Sequence, residues 1–460
     1  MPESKRESSR MLFQTEKVCE GMESVVATPY FTQGDWPSRE WWTLFEDPQL
    51  GQFIQMAIKG NPDFSSAIAR TEIAKAEADE LSSYLKPELK GDFSRSWRHL
   101  SSHGLERSLS PSVPASLKPS SLSLDFEYEI DLFGKYRNQF RAAKGRALAE
   151  AAQQEATFLM LTTLLAESYI EYAAHLKLIE HATEIEKLRL LNDQLVSLQV
   201  AHGVRDQFDL IQSKALYLES QESVITLHRE KEKLLSRLKI LMGLGPEAAL
   251  KILPPTLSFK RTFPFPQSLP LNLLARRPDL MAHIELVKAA ASKIKMAKAD
   301  FYPNINLAAS FGVESLKWHQ LFSPLSFASA ITPALSLPLF KGGKLRSALD
   351  KEYARYDEAV SAYNARLLQA VKEVKDQISH FVSANETRSL LEALYQQREE
   401  SYGLMEERCK QGISNQLTLL DAKIEQLAQK MEAIRADHAY YLASLHLIKA
   451  LGGGYGEPEE

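Results

Sequence analysis

Gly203 opens the stretch GVRDQFDLIQS and Gly412 opens GISNQLTLLDA, and the two segments are near copies 209 residues apart. The first holds Arg205 and Asp209, the second Thr418 and Asp421. These are charges and a hydroxyl, groups that pair with one another or attract ions rather than make bonds. A glycine turn with Val204 or Ile413 beside it also lets another chain approach closely, because glycine has no Cβ to hold it off. No nucleophile–His–acid set and no phosphate-cradling loop accompanies them, and GGG at 452–454 reads as a helix stop. Cys19 and Cys409 are too few and too far apart for a disulfide framework or a zinc site. His438 falls on an apolar helical seam, where a histidine packs. The residues imply no enzyme, no cofactor and no metal; their chemistry is that of contact surfaces.

The elements that carry these turns are repeated. NPDF at Asn61 answers RPDL at Arg277, and Pro87 answers Pro303, both 216 residues on. IDLFGK, ending at Lys135, answers PLFKGGK, ending at Lys344, 209 residues on. Four landmarks in one order imply an internal duplication. Each half begins with a helix, over 48–84 and over 278–300, that stops before a proline. Two strands follow, expected at 88–97 and 121–131 in the first half and at 304–314 and 329–339 in the second. SLSLDFEYEID is the clearest, alternating Leu122, Leu124, Phe126, Tyr128 and Ile130 with Ser, Asp and Glu. Long Gly- and Pro-poor stretches then predict helices over 136–202, 204–242, 341–411 and 413–451. The longest rods would run roughly 100 Å. In the last, Leu417, Leu420, Ile424, Leu427, Met431 and Ile434 keep a 3.5-residue repeat, which imposes supercoiling. The organisation is therefore an extension over 1–40, a first repeat over 41–250, a second over 251–452, and an acidic tail over 453–460.

The chain has 460 residues, is 44% hydrophobic and 25% charged, and carries a net charge of -4. That is a folded protein with no basic excess, which excludes nucleic acid as a partner. No run of 18 apolar residues can serve as a spanning helix. Strands of about 10 residues, apolar on one face, have the length that crosses a bilayer when tilted. Four of them cannot close alone, and lipid tolerates no open sheet edge. Two copies would supply 8 strands, a barrel filled by its own side chains; three would supply 12 and leave a lumen. The trimer is the arrangement that makes a conduit. A soluble coiled-coil scaffold is the rival, and it must explain two isolated hairpins that are marginal alone.

Several segments resemble one family. WWTLFEDPQL (41–50), YEIDLFGKYRNQ (128–139), LLARRPDLMAHIELVKAAASKIKMAKADFYPNINLAAS (273–310), SLPLFKGGKLRSALD (336–350) and GISNQLTLLDAKIEQLAQK (412–430) are similar to motifs of the TolC-like outer-membrane efflux proteins. The likeness is greatest to their lipoprotein branch serving resistance–nodulation–division pumps, and it spans about 40 to 452. It implies a mainly α fold with a membrane β-barrel: a homotrimer whose 12-stranded barrel in the outer membrane continues into a periplasmic helical tunnel. The implied function is a passive exit duct for drugs, metals or small toxic molecules, energised by an inner-membrane pump through a periplasmic adaptor; secretion of proteins is the alternative. By the same resemblance, Gly203–Val204 and Gly412–Ile413 are where adaptor hairpins dock. Asp421 belongs to a carboxylate ring at the constriction, three copies of which would repel one another and attract cations. Thr418 stands where a second carboxylate can occur, and Arg205 and Asp209 where links that hold the tip shut can occur. A family tyrosine three residues before the second turn glycine is Cys409 here.

The N-terminal residues, MPESKRESSRMLFQTEKVCEGMESVV, have no apolar core of 7–15 residues and do not read as a signal peptide. Cys19, placed 22 residues before Trp41, is the candidate lipidation site, although Glu16-Lys17-Val18 lacks the small residues such a site wants.

Overall fold

The computed structural model describes residues 31–33, 263–265, 276–455, and 38–257 apart from 102, 106, 108, 109 and 111. Cys19 lies outside the described residues. Two compact units interleave along the chain: one takes Arg70–Glu150 and His283–Tyr363, the other the remaining described residues.

The first unit is organised by a four-stranded antiparallel sheet in the order β1 (Glu88–Arg95), β2 (Ser120–Ile130), β3 (Asn304–Ser315) and β4 (Phe327–Ser336). Register makes it two-faced. One row across the strands reads Leu89, Phe126, Ala309, Ile331, and another Phe93, Leu122, Val313, Phe327. The alternate rows read Glu88, Glu127, Ala308, Thr332 and Lys90, Asp125, Ser310, Ala330. A period of two thus sorts apolar side chains to one side and acids and hydroxyls to the other. The fourth strand starts two residues earlier than expected and ends at Ser336. Its register is set by pairing with β3, and Pro338, which lacks a backbone donor, lies just beyond.

Helices dominate the remainder. The predicted 48–84 helix is two, α1 (Pro48–Gly60) and α2 (Pro62–Ser83), because Asn61 is extended and both caps α1 and precedes a proline. α3 (Lys135–Ala201) and α6 (Lys344–Lys410) each have 67 residues. α4 (Gln207–Leu241) and α7 (Gln416–Ala450) each have 35, and α5 (Pro278–Ala299) opens the second half. The return helices begin three residues later than expected, since the turn and its cap consume those positions.

Equivalent bonds mark the duplication in space. Asn61 Nδ2 donates to the Leu241 carbonyl at 3.0 Å, closing α4. Arg277 Nη1 donates to the Ala450 carbonyl at 3.0 Å, closing α7. Gly243 and Gly452 follow those carbonyls at φ 75° and 98°, where a Cβ would meet the Gly60 and Arg276 carbonyl oxygens at 2.0 Å. Only glycine fits either place.

The main core of the second unit gathers Trp41, Phe45, Leu165, Tyr169, Phe381, Tyr440 and Leu447, each fully buried. Asp47 explains the polar part of the 41–50 motif. It caps Gln49 N at 2.9 Å and accepts from Tyr169 Oη at 2.8 Å and Thr256 N at 3.0 Å. Its burial is thereby offset by three donors.

Candidate functional site: the helix tips

Both long helices end in the same Schellman turn. Gly203 N donates to Val200 O and Val204 N to Gln199 O; Gly412 N donates to Cys409 O and Ile413 N to Arg408 O, all at 2.8–3.0 Å. The glycines adopt φ 72° and 73° with no atom near their missing Cβ. The return helices then start on Asp206, which accepts from Asp209 N at 3.0 Å, and on Asn415, which accepts from Thr418 N at 2.9 Å. Residues after each glycine are left outside: Val204 is 71% exposed and Ile413 66%. Phe208 and Ile211 extend the apolar surface along α4.

The charged candidates separate into two settings. Arg205 and Asp209 pair with each other at 3.6 Å within one tip and link to nothing beyond it among the described residues. Thr418 spends both its backbone N–H and its Oγ1 on Asn415, so its hydroxyl is committed to the cap. Asp421 reaches across to α3, accepting from Asn192 Nδ2 at 3.1 Å with Arg189 Nη1 at 3.6 Å. Asn192 is buried, whereas the Asp421 side chain stays 54% exposed. Of the three residues in this contact, only Asp421 lies within the repeated turn segments. Asn192 is buried one turn before Val196, while Leu191 and Leu198 are exposed, so the amide faces inward on this stretch of α3.

Farther along α6 and α7 the contacts recur with heptad spacing. Arg388 pairs with Asp437 at 2.6 Å and lies over the Tyr440 ring at 4.7 Å. Lys430 stands over Tyr395 at 5.0 Å and Lys423 over Tyr402 at 4.6 Å. Steps of seven on both helices hold one antiparallel register. The next position toward the turn is Cys409, a free thiol. His438 packs in this region as expected, and burial, with His175 nearby, holds its pKa below the ordinary histidine value.

Arg277, 6% exposed, is the strongest ionic feature, and only its Pro278–Asp279 neighbours were legible as a helix start. It bonds Asp279 and Glu373 at 2.8 Å each, and Arg366 bonds the same two carboxylates. Burial pushes the Asp279 carboxyl up, but Arg277 and then Arg366 outweigh it and hold it at about 2. The four groups border a cleft of about 580 Å³ with His446 and Lys449. Among the described residues no group of three or more His, Cys, Asp or Glu is placed to hold a metal ion.

Comparison with known proteins agrees with this geometry. The outer membrane efflux protein family model matches residues 53–244 and again 269–453. The multidrug resistance outer membrane protein MdtP of Escherichia coli is 28% identical over 434 residues, 93% of this chain and 88% of that protein. Outer membrane protein OprJ of Pseudomonas aeruginosa is 27% identical over 423 residues, 91% and 87% of the two. Among solved structures, VceC of Vibrio cholerae superposes with a TM-score of 0.81 at 29% identity, covering 91% of this chain and all of that one. CmeC of Campylobacter jejuni gives 0.85 at 21%, covering 100% and 95%. Two matched stretches, a two-faced hairpin pair and twin long-helix turns leave one conclusion: the chain belongs to the outer membrane efflux protein family.

Proposed function

We propose that this protein is the outer-membrane duct of a tripartite efflux system, through which drugs or other small toxic molecules leave passively. The observation that carries it is the sheet: apolar on one face, acidic on the other, and open along β1 and β4. An even number of alternating strands lets β4 of one copy meet β1 of the next antiparallel, so three copies close twelve strands without a free edge. The apolar face then meets lipid and the acidic face lines water. Among the described residues no helix is long and apolar enough to cross a membrane. Homotrimer formation, and docking of an adaptor at Gly203–Val204 and Gly412–Ile413 with a pump beyond it, are supported by exposed apolar turns and by family membership. Asp421 is the proposed gate carboxylate, tethered to Arg189 and Asn192, with Thr418, Arg205 and Asp209 shaping the tips. The test is fractionation followed by electrophysiology. Recovery in the outer membrane as a heat-sensitive trimer that conducts ions in planar bilayers is expected; a soluble monomer overturns the proposal.

A further inference from the structure

Where the sheet gives way to helix, the same arrangement occurs twice. After β2 come Leu132 and Phe133, 60% and 41% exposed, then Lys135 and Arg137. After β4 come Leu339 and Phe340, 89% and 90% exposed, then Lys341, Lys344 and Arg346. Positive-φ glycines sit inside both turns, at Gly134, Gly342 and Gly343. Phe133 is stacked on Tyr302 at 4.7 Å, so the first turn is held in place.

The cations differ in how they are spent. Lys135 lies between Glu129 and Asp300 at 3.7 and 3.8 Å, and Arg137 is bound to Asp131 at 3.3 Å. Lys341, Lys344 and Arg346 are exposed and have no carboxylate partner among the described residues. Lys341 also borders a cleft of about 190 Å³ with Tyr136 and Tyr302, whose acids, Glu129, Asp131 and Asp300, are the ones already matched by Lys135 and Arg137. Exposed leucine and aromatic side chains continuous with an apolar sheet face, followed at once by unmatched cations, form the pattern that seats in an interface: rings among acyl chains and ammonium groups at headgroup level.

We propose that the β4–α6 turn with the first residues of α6, Leu339–Arg346, is a binding surface for anionic phospholipid headgroups of the periplasmic leaflet. Leu339 and Phe340 enter the acyl layer, and Lys341, Lys344 and Arg346 hold phosphate. Charge complementarity and continuity with the lipid-facing sheet select this occupant. The inference rests on the outer-membrane reading, and the experiment separates the two.

The purified full-length trimer is reconstituted into phosphatidylcholine vesicles with trace spin-labelled phosphatidylglycerol or phosphatidylcholine, and the motionally restricted lipid fraction is read by electron paramagnetic resonance. Phosphatidylglycerol is expected to be preferred by about fivefold, the scale of one interfacial cation. The K341Q/K344Q/R346Q variant should fall below about twofold. Should that variant fail to trimerise, the wild-type preference must itself collapse between about 0.05 and about 0.5 M NaCl. A restricted shell with no headgroup preference, a preference the triple variant keeps, or one that salt does not weaken overturns the inference. Absence of any restricted lipid overturns the membrane reading with it.

Discussion

The ammonium of Lys423 stands 4.6 Å from the ring centre of Tyr402, bridging α7 to α6 within the turn-side half of the pair. One heptad farther from the turn Lys430 and Tyr395 repeat the contact, and one heptad nearer to it the corresponding positions are Cys409 and Gln416, which supply neither a ring nor a cation. The rungs therefore stop one heptad short of Gly412.

If these rungs stiffen the tip, their removal and extension act in opposite directions. Each cation–π contact at a half-exposed site is worth ~0.5–1 kcal/mol. Tyr402→Leu should raise time-averaged conductance in planar bilayers by about two- to fivefold. The pair C409Y/Q416K, which adds a rung, should lower it. Shifts of the same sign in both variants would show that the ladder does not bear on opening.

Asp421 is held by one buried amide and by a longer ion pair on its half-exposed carboxylate, and the amide matters more. Removing Asn192 strips a hydrogen bond to a charged group, a contact worth about 1.5–3 kcal/mol, whereas the Arg189 ion pair is worth ~0–1. N192A should accordingly open the duct more than R189A, with D421N near N192A. Cation-over-anion permeability in salt gradients gives a second reading: it should fall in D421N and persist in N192A.

The apolar tips predict a loss of transport without loss of assembly. V204D and I413D place a charge on side chains that are 71% and 66% exposed and leave the backbone bonds of the turns intact, so melting temperature and trimer yield should stay within error. Dye accumulation in cells that rely on this duct should rise to the level of an empty strain. Wild-type dye export by both variants would exclude these residues from docking.

Acid should act through the Arg277 cluster. Asp279, at about 2, and Glu373, also lowered, have folded pKa values below their unfolded ones. For Glu373 burial pushes upward and hydrogen bonds from Arg366 and Arg277 prevail. Carboxylates of this kind stabilise fully above the unfolded values near 4 and lose that contribution as pH falls toward the folded ones. For Asp279 the loss is on the order of 2 kcal/mol. The melting midpoint should drop between pH 5 and pH 2.5, and D279N/E373Q should be lower at neutral pH with a shallower slope. An unchanged slope would locate acid sensitivity elsewhere.

Long helices and the two-faced strands were legible because both are written in local periodicities. Long runs free of Gly and Pro cover 147–202 and 345–402, and Leu122 to Ile130 alternate without a break. What escaped depends on partners distant in the chain. β4 was placed late because its own residues, Ala328, Ser329, Ala330 and Thr332, carry little apolar contrast; only pairing with β3 fixes it. The break at Asn61 is written locally, in Gly60-Asn61-Pro62, but the apolar period continues across it and masks it. Asn192 lies 229 residues from Asp421, and Glu373 lies 96 from Arg277, separations over which no spacing rule operates.

Asn61 and Arg277 occupy matching points, yet only the arginine gathers a charge cluster around itself. An ancestral polypeptide of half this length, assembling as six identical copies, would have had to use the same residue at all six places. Two halves carried in one chain are free of that constraint: one has a neutral amide at this point and the other an ionic anchor of its own.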